Sequence, residues 1–122
     1  MNISSDERRL AIFNIFGDAT PGQVNIIRLY PGATCGWHRH EKQTDYYYCV
    51  SGVVRVGIQP PMGPHRWEIL DAHYPRIVTV PVEHWHGYFC IGEEAILLQY
   101  LDQKYDPQDE EKRGYLYATG NF

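Results

Sequence analysis

Short apolar runs recur along the chain about every ten residues, and turn residues separate them. The runs are rich in aromatic and β-branched residues, which favours strands, and no long stretch follows the helical period. Many short strands with Gly and Pro between them are typical of a sandwich or a barrel. The pattern predicts strands at Leu10–Phe16, Val24–Tyr30, Asp45–Val50, Val53–Gln59, Arg66–Leu70, Arg76–Val80, His86–Ile91 and Ala95–Leu101.

Two local signals concern the connections between these elements. Ser51 and Gly52 lie between two apolar runs, and this predicts a hairpin turn. Near the end, Asp106 can cap a helix, Pro107 suits its first position and Gly114 can close it. We therefore expect a short C-terminal helix.

The length and hydrophobic content together indicate one domain. The chain has 122 residues, and 43% of them are hydrophobic, which is enough for a single core. We expect one domain over residues 1–122, with its barrel at about 24–101. The strand at 10–16 and the tail at 102–122 are expected to pack outside the barrel.

Side-chain alternation predicts two apolar faces for the third strand. Asp45, Tyr47 and Cys49 share one face, because side chains alternate along a strand. The opposite face carries three further side chains, namely Tyr46, Tyr48 and Val50. A sheet exposed on one side shows polar residues there, so we expect both faces to be covered. One face would line the barrel, and another sheet or a second copy of the chain would cover the other.

Charge and cysteine content exclude several partners and indicate a compartment. The net charge is −4 and no Lys/Arg cluster is present, which argues against a nucleic-acid partner. No apolar run is long enough for a membrane span, and the N-terminus is polar without a signal-peptide pattern. The three cysteines are an odd number without a CxxC pair, which indicates reduced thiols and a cytoplasmic protein.

Histidines and one acid form a candidate site. His38 and His40 are two residues apart, so their rings point the same way in an extended segment. Residues 42–44 can form a bend that returns Asp45 to them. His84 and His86 share a face much later in the chain. Imidazole and carboxylate groups in this pattern suit a transition metal, although a hydrogen-bonded polar cluster at a barrel mouth is the alternative. His65 and His73 are interpreted as loop histidines.

These spacings resemble the cupin superfamily, whose first motif is His-x-His, four residues, an acid, six residues and Gly. The corresponding residues are His38, His40, Asp45 and Gly52. The second motif, Pro-x-Gly-x-x-His, has Pro81 and His86 at its ends. Asp45 stands in place of the usual Glu, and Glu83 in place of Gly suggests a different turn geometry. The resemblance implies an all-β, RmlC-like cupin fold, a double-stranded β-helix or jelly-roll barrel. It also implies Zn, Mn, Fe or Ni on four ligands, His38, His40, Asp45 and His86.

The last third is similar to the dTDP-4-dehydrorhamnose 3,5-epimerase family, a branch of the cupins. The matching features are His86-Gly87-Tyr88, a strand that ends at Tyr100, Tyr105-Asp106-Pro107 and the following acidic stretch. The resemblance implies proton transfer beside the ketone of a dTDP-4-keto-6-deoxy sugar, with His38 as base and Tyr100 as acid. It also implies a homodimer. The Lys that usually holds the enolate aligns with Asp45, so a metal would have to supply that charge, or the chemistry differs.

A nucleotide sugar also needs cationic and aromatic contacts. Arg8, by its place in the family's opening motif, and Arg28 and Arg55, by strand position, are candidates for the diphosphate, although each also suits a solvated surface. The aromatic residues expected to line the barrel mouth are Trp37, Tyr47, Trp85 and Tyr88. Tyr100 has packing within the barrel as its alternative role.

Three functions are therefore open. The first is a sugar-nucleotide epimerase or isomerase. The second is a metal-dependent cupin enzyme on another small molecule, for example a dioxygenase or a keto-acid isomerase. The third is a sugar-binding module without catalysis. The roles of base and metal ligand compete for His38, because one imidazole cannot serve freely as both.

Overall fold

The computed structural model describes residues 1–113, and these form an antiparallel all-β structure, as the sequence predicts. Two short 3₁₀ turns occur at Gly17–Ala19 and Pro107–Asp109. Within residues 1–113, no helix is long and apolar enough to cross a bilayer. The strands are β1 (Asn2–Ser5), β2 (Arg9–Phe13), β3 (Gln23–Leu29), β4 (Thr34–His40), β5 (Asp45–Gln59), β6 (Arg66–Asp71), β7 (Ile77–Val80), β8 (Trp85–Leu101) and β9 (Glu110–Lys112).

Two long strands, β5 and β8, connect two sheets. They pair antiparallel from Asp45 opposite Leu101 to Gln59 opposite Trp85, and each bends near its middle. One pair of halves lies in the sheet β1-β2-β3-β8-β5-β7, and the other lies in the sheet β9-β4-β8-β5-β6. The inner faces of the two sheets enclose the core, which includes Ile27, Leu29, Val54, Val56 and Leu97.

The predicted hairpin at Ser51-Gly52 is wrong, because the chain continues there as one strand. The register shifts between Cys49 and Ser51 and again between Ser51 and Val53. Gly52 has φ +81°, a backbone conformation that glycine adopts easily. Both halves of β5 pair with β8, so the local turn signal marks a bulge that bends the strand. The predicted break between His86–Ile91 and Ala95–Leu101 is likewise a bend inside β8.

The predicted short C-terminal helix is present as a single turn only. Asp106 does accept a hydrogen bond from the Gln108 backbone N–H, but only one 3₁₀ turn follows it. The chain then becomes extended and pairs with β4 as β9, so the strand ladder replaces the helical hydrogen bonds. Gly114 and the rest of the predicted tail to residue 122 lie outside the described residues.

The predicted alternation in β5 is confirmed by burial. Asp45, Tyr47 and Cys49 are each at most 3% exposed and face the interior. Val50, on the other face, is 51% exposed. The inner face of this strand therefore carries an acid into the space between the sheets, where the candidate site is found.

Candidate functional site

A cavity of about 650 Å³ lies between the two sheets. This volume is typical of a pocket for a small molecule. Its wall combines histidine, carboxylate, amide and aromatic side chains from β2, β3, β4, β5, β8 and the tail. Polar groups inside a barrel are unfavourable unless they are hydrogen-bonded or bind something, so their partners matter for function.

Three buried side chains meet in this cavity. His40 ends β4, Asp45 begins β5 and His86 lies near the start of β8. One ligand atom from each lies within 4.8 Å of the others. A bend at Glu41 and Lys42, which overlaps the predicted bend at residues 42–44, leads the chain from the histidines of β4 to Asp45. His86 Nε2 is 3.1 Å from Asp45 Oδ2.

The hydrogen bonds of His86 require a positive ion at this contact. Its Nδ1 lies 3.0 Å from the His84 carbonyl oxygen, which can only accept, so Nδ1 carries a proton. In the neutral ring, Nε2 would then present a lone pair to the Asp45 carboxylate. Either a proton or a metal ion must lie between the two atoms. Burial opposes the charge on His86, but the hydrogen bond to Asp45 raises the His86 pKa above its usual value.

The same three residues fit a divalent transition metal. Two imidazoles and a carboxylate suit Zn, Fe, Mn or Ni. A carbonyl that holds the other ring nitrogen, as His84 does for His86, is the usual outer support of a metal-binding histidine. His40 is 5% exposed, and its Nδ1 has no hydrogen-bond partner among residues 1–113. Burial lowers the pKa of His40, which keeps its ring neutral and able to coordinate.

His38 lies beside this cluster but has a different partner. Its Nδ1 is 2.8 Å from Glu110 Oε1, and Glu110 also accepts a hydrogen bond from the Tyr105 hydroxyl. Burial works against ionisation of Glu110, but the hydrogen bonds from His38 and Tyr105 lower its pKa to about 2. With Nδ1 held by a carboxylate, Nε2 is the ring nitrogen left to take a proton. The geometry thus separates His38 from the three-residue cluster.

A second cavity of about 420 Å³ adjoins the first and shares Arg9, His38 and Lys112 with it. Arg8 and Arg113 also line this cavity. The Arg8 guanidinium is paired with Asp6 at 2.7 Å, and Arg9 donates a hydrogen bond to the Tyr88 hydroxyl. The concentration of cationic side chains suits an anionic group next to His38.

Comparison with curated proteins finds two relatives of interest. The chain is 33% identical over 91 residues to the probable low-salt glycan biosynthesis epimerase Agl13 of Haloferax volcanii. That match covers 68% of this chain and 58% of Agl13, so the chain spans little more than half of that relative. It is 26% identical over 114 residues to the spore coat polysaccharide biosynthesis protein SpsL of Bacillus subtilis, covering 80% and 76% of the two chains. No protein-family model matches the chain.

Solved structures resemble the whole barrel. The capsular polysaccharide assembling protein CapF of Staphylococcus aureus matches with a TM-score of 0.82 at 21% identity, over 91% of this chain and 31% of CapF. Oxalate decarboxylase of Bacillus subtilis matches with a TM-score of 0.79 at 17% identity, over 91% of this chain and 29% of the decarboxylase. The 3'-monoepimerase ChmJ of Streptomyces bikiniensis, in complex with dTDP, matches with a TM-score of 0.72 at 22% identity, over 79% of this chain and 53% of ChmJ. The chain has the cupin fold.

The second cupin motif keeps its turn geometry despite the substitution. Glu83 has φ +65°, the left-handed conformation that glycine would adopt easily. The expectation of a different turn at Glu83 is therefore wrong. The backbone N–H of Glu83 donates to the His40 carbonyl at 2.6 Å, which ties this turn to the end of β4.

Tyr100 does not line the cavity of the barrel, where its predicted role as the acid would require it to be. It lies on the outer face of β8, 38% exposed, with its ring 5.8 Å from that of Tyr46. Side chains alternate along the strand, so the inner position at this point belongs to Gln99. Tyr47 and Tyr88, by contrast, do line the cavity as expected.

Four other predicted contacts are also absent from the cavity. Arg28 pairs with Glu94 at 3.4 Å outside the barrel. Arg55 stacks on Trp67 at 4.3 Å, and Arg113 stacks on Trp85 at 4.1 Å. Trp37 is fully buried, and its ring contacts those of Trp67 and His65. The side chains of Trp37, Arg55 and Trp85 lie on the outer side of the second sheet, opposite to the inner face that carries the histidines, whereas Arg28 lies on β3 of the first sheet. Arg8 lines the second cavity only.

The sequence does not reveal several residues of the site. Its pattern places Glu110 in a helix, whereas the strand pairing of Glu110 with β4 is a contact between distant parts of the chain. Gln23, Asn25 and Gln99 also line the cavity. A signal for them exists, because they occupy inner positions of strands whose other inner residues are apolar.

Proposed function

We propose that this cupin is a sugar epimerase or isomerase of glycan or polysaccharide synthesis, which moves protons beside a ketone. The observation that carries the proposal is the His38–Glu110 pair next to a cation position inside a closed barrel. The names of Agl13 and SpsL support the same class of process.

The reaction needs a base at the carbon and positive charge at the oxygen. Removing a proton next to a ketone generates an enolate, whose negative charge must be stabilised. His38 Nε2 takes the proton, while Glu110 holds Nδ1–H and keeps the ring in the correct tautomer. In the resembling epimerase family a Lys supplies this positive charge, but this chain has Asp45 in its place. The nearby cluster of His40, Asp45 and His86 supplies the charge instead, through the proton or metal ion that it holds. Tyr105, which lines the cavity and hydrogen-bonds Glu110, completes this chain of proton-carrying groups.

We propose a divalent metal as the positive charge. His40, Asp45 and His86 would hold the ion, and its chemistry is Lewis-acid stabilisation of charge on a carbonyl oxygen. The metal content of protein purified without chelators, measured by mass spectrometry, tests this. A near-stoichiometric metal that is lost in His40→Ala is expected. Absence of metal after soaking with Mn, Fe, Ni and Zn would instead assign the charge to protonated His86.

We propose a nucleotide-linked sugar as substrate, specifically a dTDP-4-keto-6-deoxy sugar. The cationic second cavity supports this, because Arg8, Arg9 and Lys112 lie where an anionic linkage could reach while the sugar contacts His38. The crystal structure of ChmJ contains dTDP, so a protein of similar fold binds a nucleotide, which supports the proposal.

Solvent exchange tests the proposed activity. The protein is incubated with a dTDP-4-keto-6-deoxy sugar in D₂O, and deuterium at the carbons flanking the ketone is measured by mass spectrometry. We expect incorporation that falls by about 10²-fold or more in His38→Asn. His73→Asn is the matched control, because His73 is a surface histidine paired with Asp71. Absence of deuterium in the wild type would contradict the proposal.

A second candidate is a metal-dependent cupin enzyme on another small molecule. The His40, Asp45 and His86 cluster favours it, because three ligands leave coordination positions open for a substrate. This function predicts metal-dependent turnover of a substrate other than a keto sugar, with no deuterium exchange into dTDP-4-keto sugars.

We propose a homodimer in the cytoplasm as the working state. The outer face of the first sheet carries Tyr46, Tyr48 and Tyr100 beside the exposed Val50 and Ile77, and a second copy would cover it. The three cysteines are unpaired thiols, which supports a reducing compartment.

A further inference from the structure

A chain of side-chain amides, two of them buried and the third half-buried, connects the tail to Asp45. The backbone N–H of Tyr105 donates to Gln23 Oε1 at 2.9 Å, and Gln23 Nε2 donates to Asn25 Oδ1 at 3.0 Å. Asn25 Nδ2 donates to Gln99 Oε1 at 2.9 Å, and Gln99 Nε2 donates to Asp45 Oδ2 at 3.2 Å. We call Gln23, Asn25 and Gln99 the amide relay.

The direction of the relay is determined at both ends. Backbone N–H groups can only donate, and those of Tyr105 and Asn14 point to the oxygens of Gln23 and Asn25. An ionised carboxylate can only accept, so Asp45 requires a donor from Gln99. Each amide between these ends therefore has one allowed orientation. A flip of any one amide would place two oxygens or two N–H groups against each other.

Asp45 is held by protein donors on every side. Gln43 Nε2 donates to Oδ1 at 2.5 Å, and the Tyr47 hydroxyl and Gln99 Nε2 donate to Oδ2 at 3.2 Å each. Burial opposes the charge of Asp45, but the hydrogen bond from His86 and that from Gln43 lower its pKa. Buried polar chains of this kind cost stability unless every member is satisfied, whereas apolar side chains would pack the barrel without that cost.

We propose that the amide relay makes Asn25 and Gln99 positioning residues for the cation position between Asp45 and His86. Their role is to fix the Asp45 carboxylate so that Oδ2 faces His86 Nε2. Supporting groups of this kind typically change metal affinity by about 10–100-fold when they are mutated. The inference deepens the proposed function, because it concerns the charge that the reaction needs, but it does not depend on the identity of the sugar.

The test substitutes one atom of the relay. Asn25→Asp keeps the acceptor for Gln23 and Asn14 but removes the donor to Gln99. Gln99 must then turn its amide, and its oxygen faces Asp45. We expect the affinity for Zn²⁺, measured by titration calorimetry, to fall about tenfold or more. The added negative charge, acting only through space, would instead tighten Zn²⁺ binding. The break in the relay and the added charge therefore change the affinity in opposite directions.

A matched control carries the same change on the same cavity wall. Asn14 joins the relay only through its backbone, and its side chain accepts from Lys104 Nζ at 3.0 Å. Asn14→Asp therefore adds the same charge without breaking the relay, and we expect Zn²⁺ affinity within about twofold of the wild type or tighter. Equal effects in the two variants, or unchanged affinity in Asn25→Asp, would overturn the proposal.

A second readout serves the metal-free protein. In that state a proton lies between His86 Nε2 and Asp45, and NMR detects it as a downfield imidazole N–H signal. We expect the signal to persist in Asn14→Asp and to shift or vanish in Asn25→Asp. If Asn25→Asp does not fold, Gln99→Met removes the last donor at similar volume and is measured in the same way. A wild type that binds no Zn²⁺ would refute the metal proposal alone, because the N–H signal still tests the relay.

Discussion

At the residue scale, Glu110 is shared by two protonatable side chains, His38 and Tyr105, and the proposed chemistry depends on this arrangement. One oxygen of the carboxylate lies 2.8 Å from His38 Nδ1, and the other accepts a hydrogen bond from the Tyr105 hydroxyl. Its side chain is only 9% exposed. A buried carboxylate of this kind orients a histidine base and stabilises the cation formed when it takes a proton.

Loss of the carboxylate should slow the proposed proton transfer. In Glu110→Gln the amide can still accept one hydrogen bond but no longer stabilises the protonated ring. We expect the rate of solvent exchange to fall roughly 10²-fold or more, with a smaller effect on KM. Glu111→Gln is the control, because Glu111 is next in sequence but pairs with Arg39 at 2.5 Å. Equal losses in both variants would indicate general disturbance of the tail.

The same carboxylate should make stability depend on acid pH. The Glu110 pKa is lowered from 4.5 to about 2 in the folded chain. A lowered pKa stabilises the fold above the unfolded value, and this contribution is lost as the pH falls from about 4.5 towards 2. We expect the melting temperature of the wild type to exceed that of Glu110→Gln at pH 6, and the difference to shrink by pH 3. A constant difference across this range would contradict the assignment.

The position of Tyr100 shows what spacing can and cannot predict. The spacing of His38, His40 and Asp45 identifies neighbours in space, because only a short bend separates them along the chain. The role of Tyr100 rests on similarity of a motif, and a shift of one residue along a strand moves a side chain to the other face. Gln99 therefore occupies the inner position.

Tyr100→Phe should accordingly have little effect on chemistry. The hydroxyl lies outside the barrel, and the ring contact with Tyr46 is kept by phenylalanine. We expect the solvent-exchange rate to stay within about twofold of the wild type, since the change touches neither the cluster nor His38. Tyr105→Phe, which removes a hydrogen bond to Glu110, should reduce it more. A large loss in Tyr100→Phe alone would show that the side chain enters the site during the reaction.

The bends of β5 and β8 decide the architecture at the scale of elements. Each strand passes from one sheet to the other, which lets His86 and Asp45 face the same cavity from two strands. The sequence predicts the strand segments on both sides of each bend, because alternation is a local pattern. It does not distinguish a bend from a hairpin, since the long-range pairing with β8 makes that choice.

Gly52 should be the least replaceable residue of the β5 bend. It has φ +81°, and a Cβ there would lie 2.8 Å from the Glu94 carbonyl oxygen. We expect Gly52→Ala to lower the free energy of unfolding by about 2 kcal/mol or more, measured by denaturant titration. Gly92→Ala is the control, because Gly92 has φ +74° and a Cβ there would meet no atom of residues 1–113 within 4 Å. Gly92→Ala therefore has the cost of a side chain at positive φ without the close contact to a carbonyl oxygen. Equal losses in the free energy of unfolding of the two variants would assign the whole effect to backbone strain.

At the scale of the whole molecule, the two sheets differ in how far other side chains cover the apolar residues on their outer faces. On the second sheet, tryptophan rings are covered by arginine side chains, as Trp85 is by Arg39 at 5.1 Å and Arg113 at 4.1 Å. On the first sheet, Val50 and Ile77 are 51% and 61% exposed next to the tyrosines of β5. Large exposed apolar patches are uncommon on proteins that act as monomers. The first sheet is therefore the face on which a second copy is expected.

Charge introduced into this face should separate the proposed dimer without unfolding the barrel. Val50→Glu with Ile77→Glu places two carboxylates on side chains that are already exposed in the single chain, so the core is not altered. We expect light scattering to give twice the chain mass of 14.2 kDa for the wild type and the single mass for the variant. Met62→Glu, at a site 90% exposed in the β5–β6 loop, should leave the dimer intact. A wild type with the mass of one chain would refute the dimer. A variant that stays dimeric would show that the interface lies on another face.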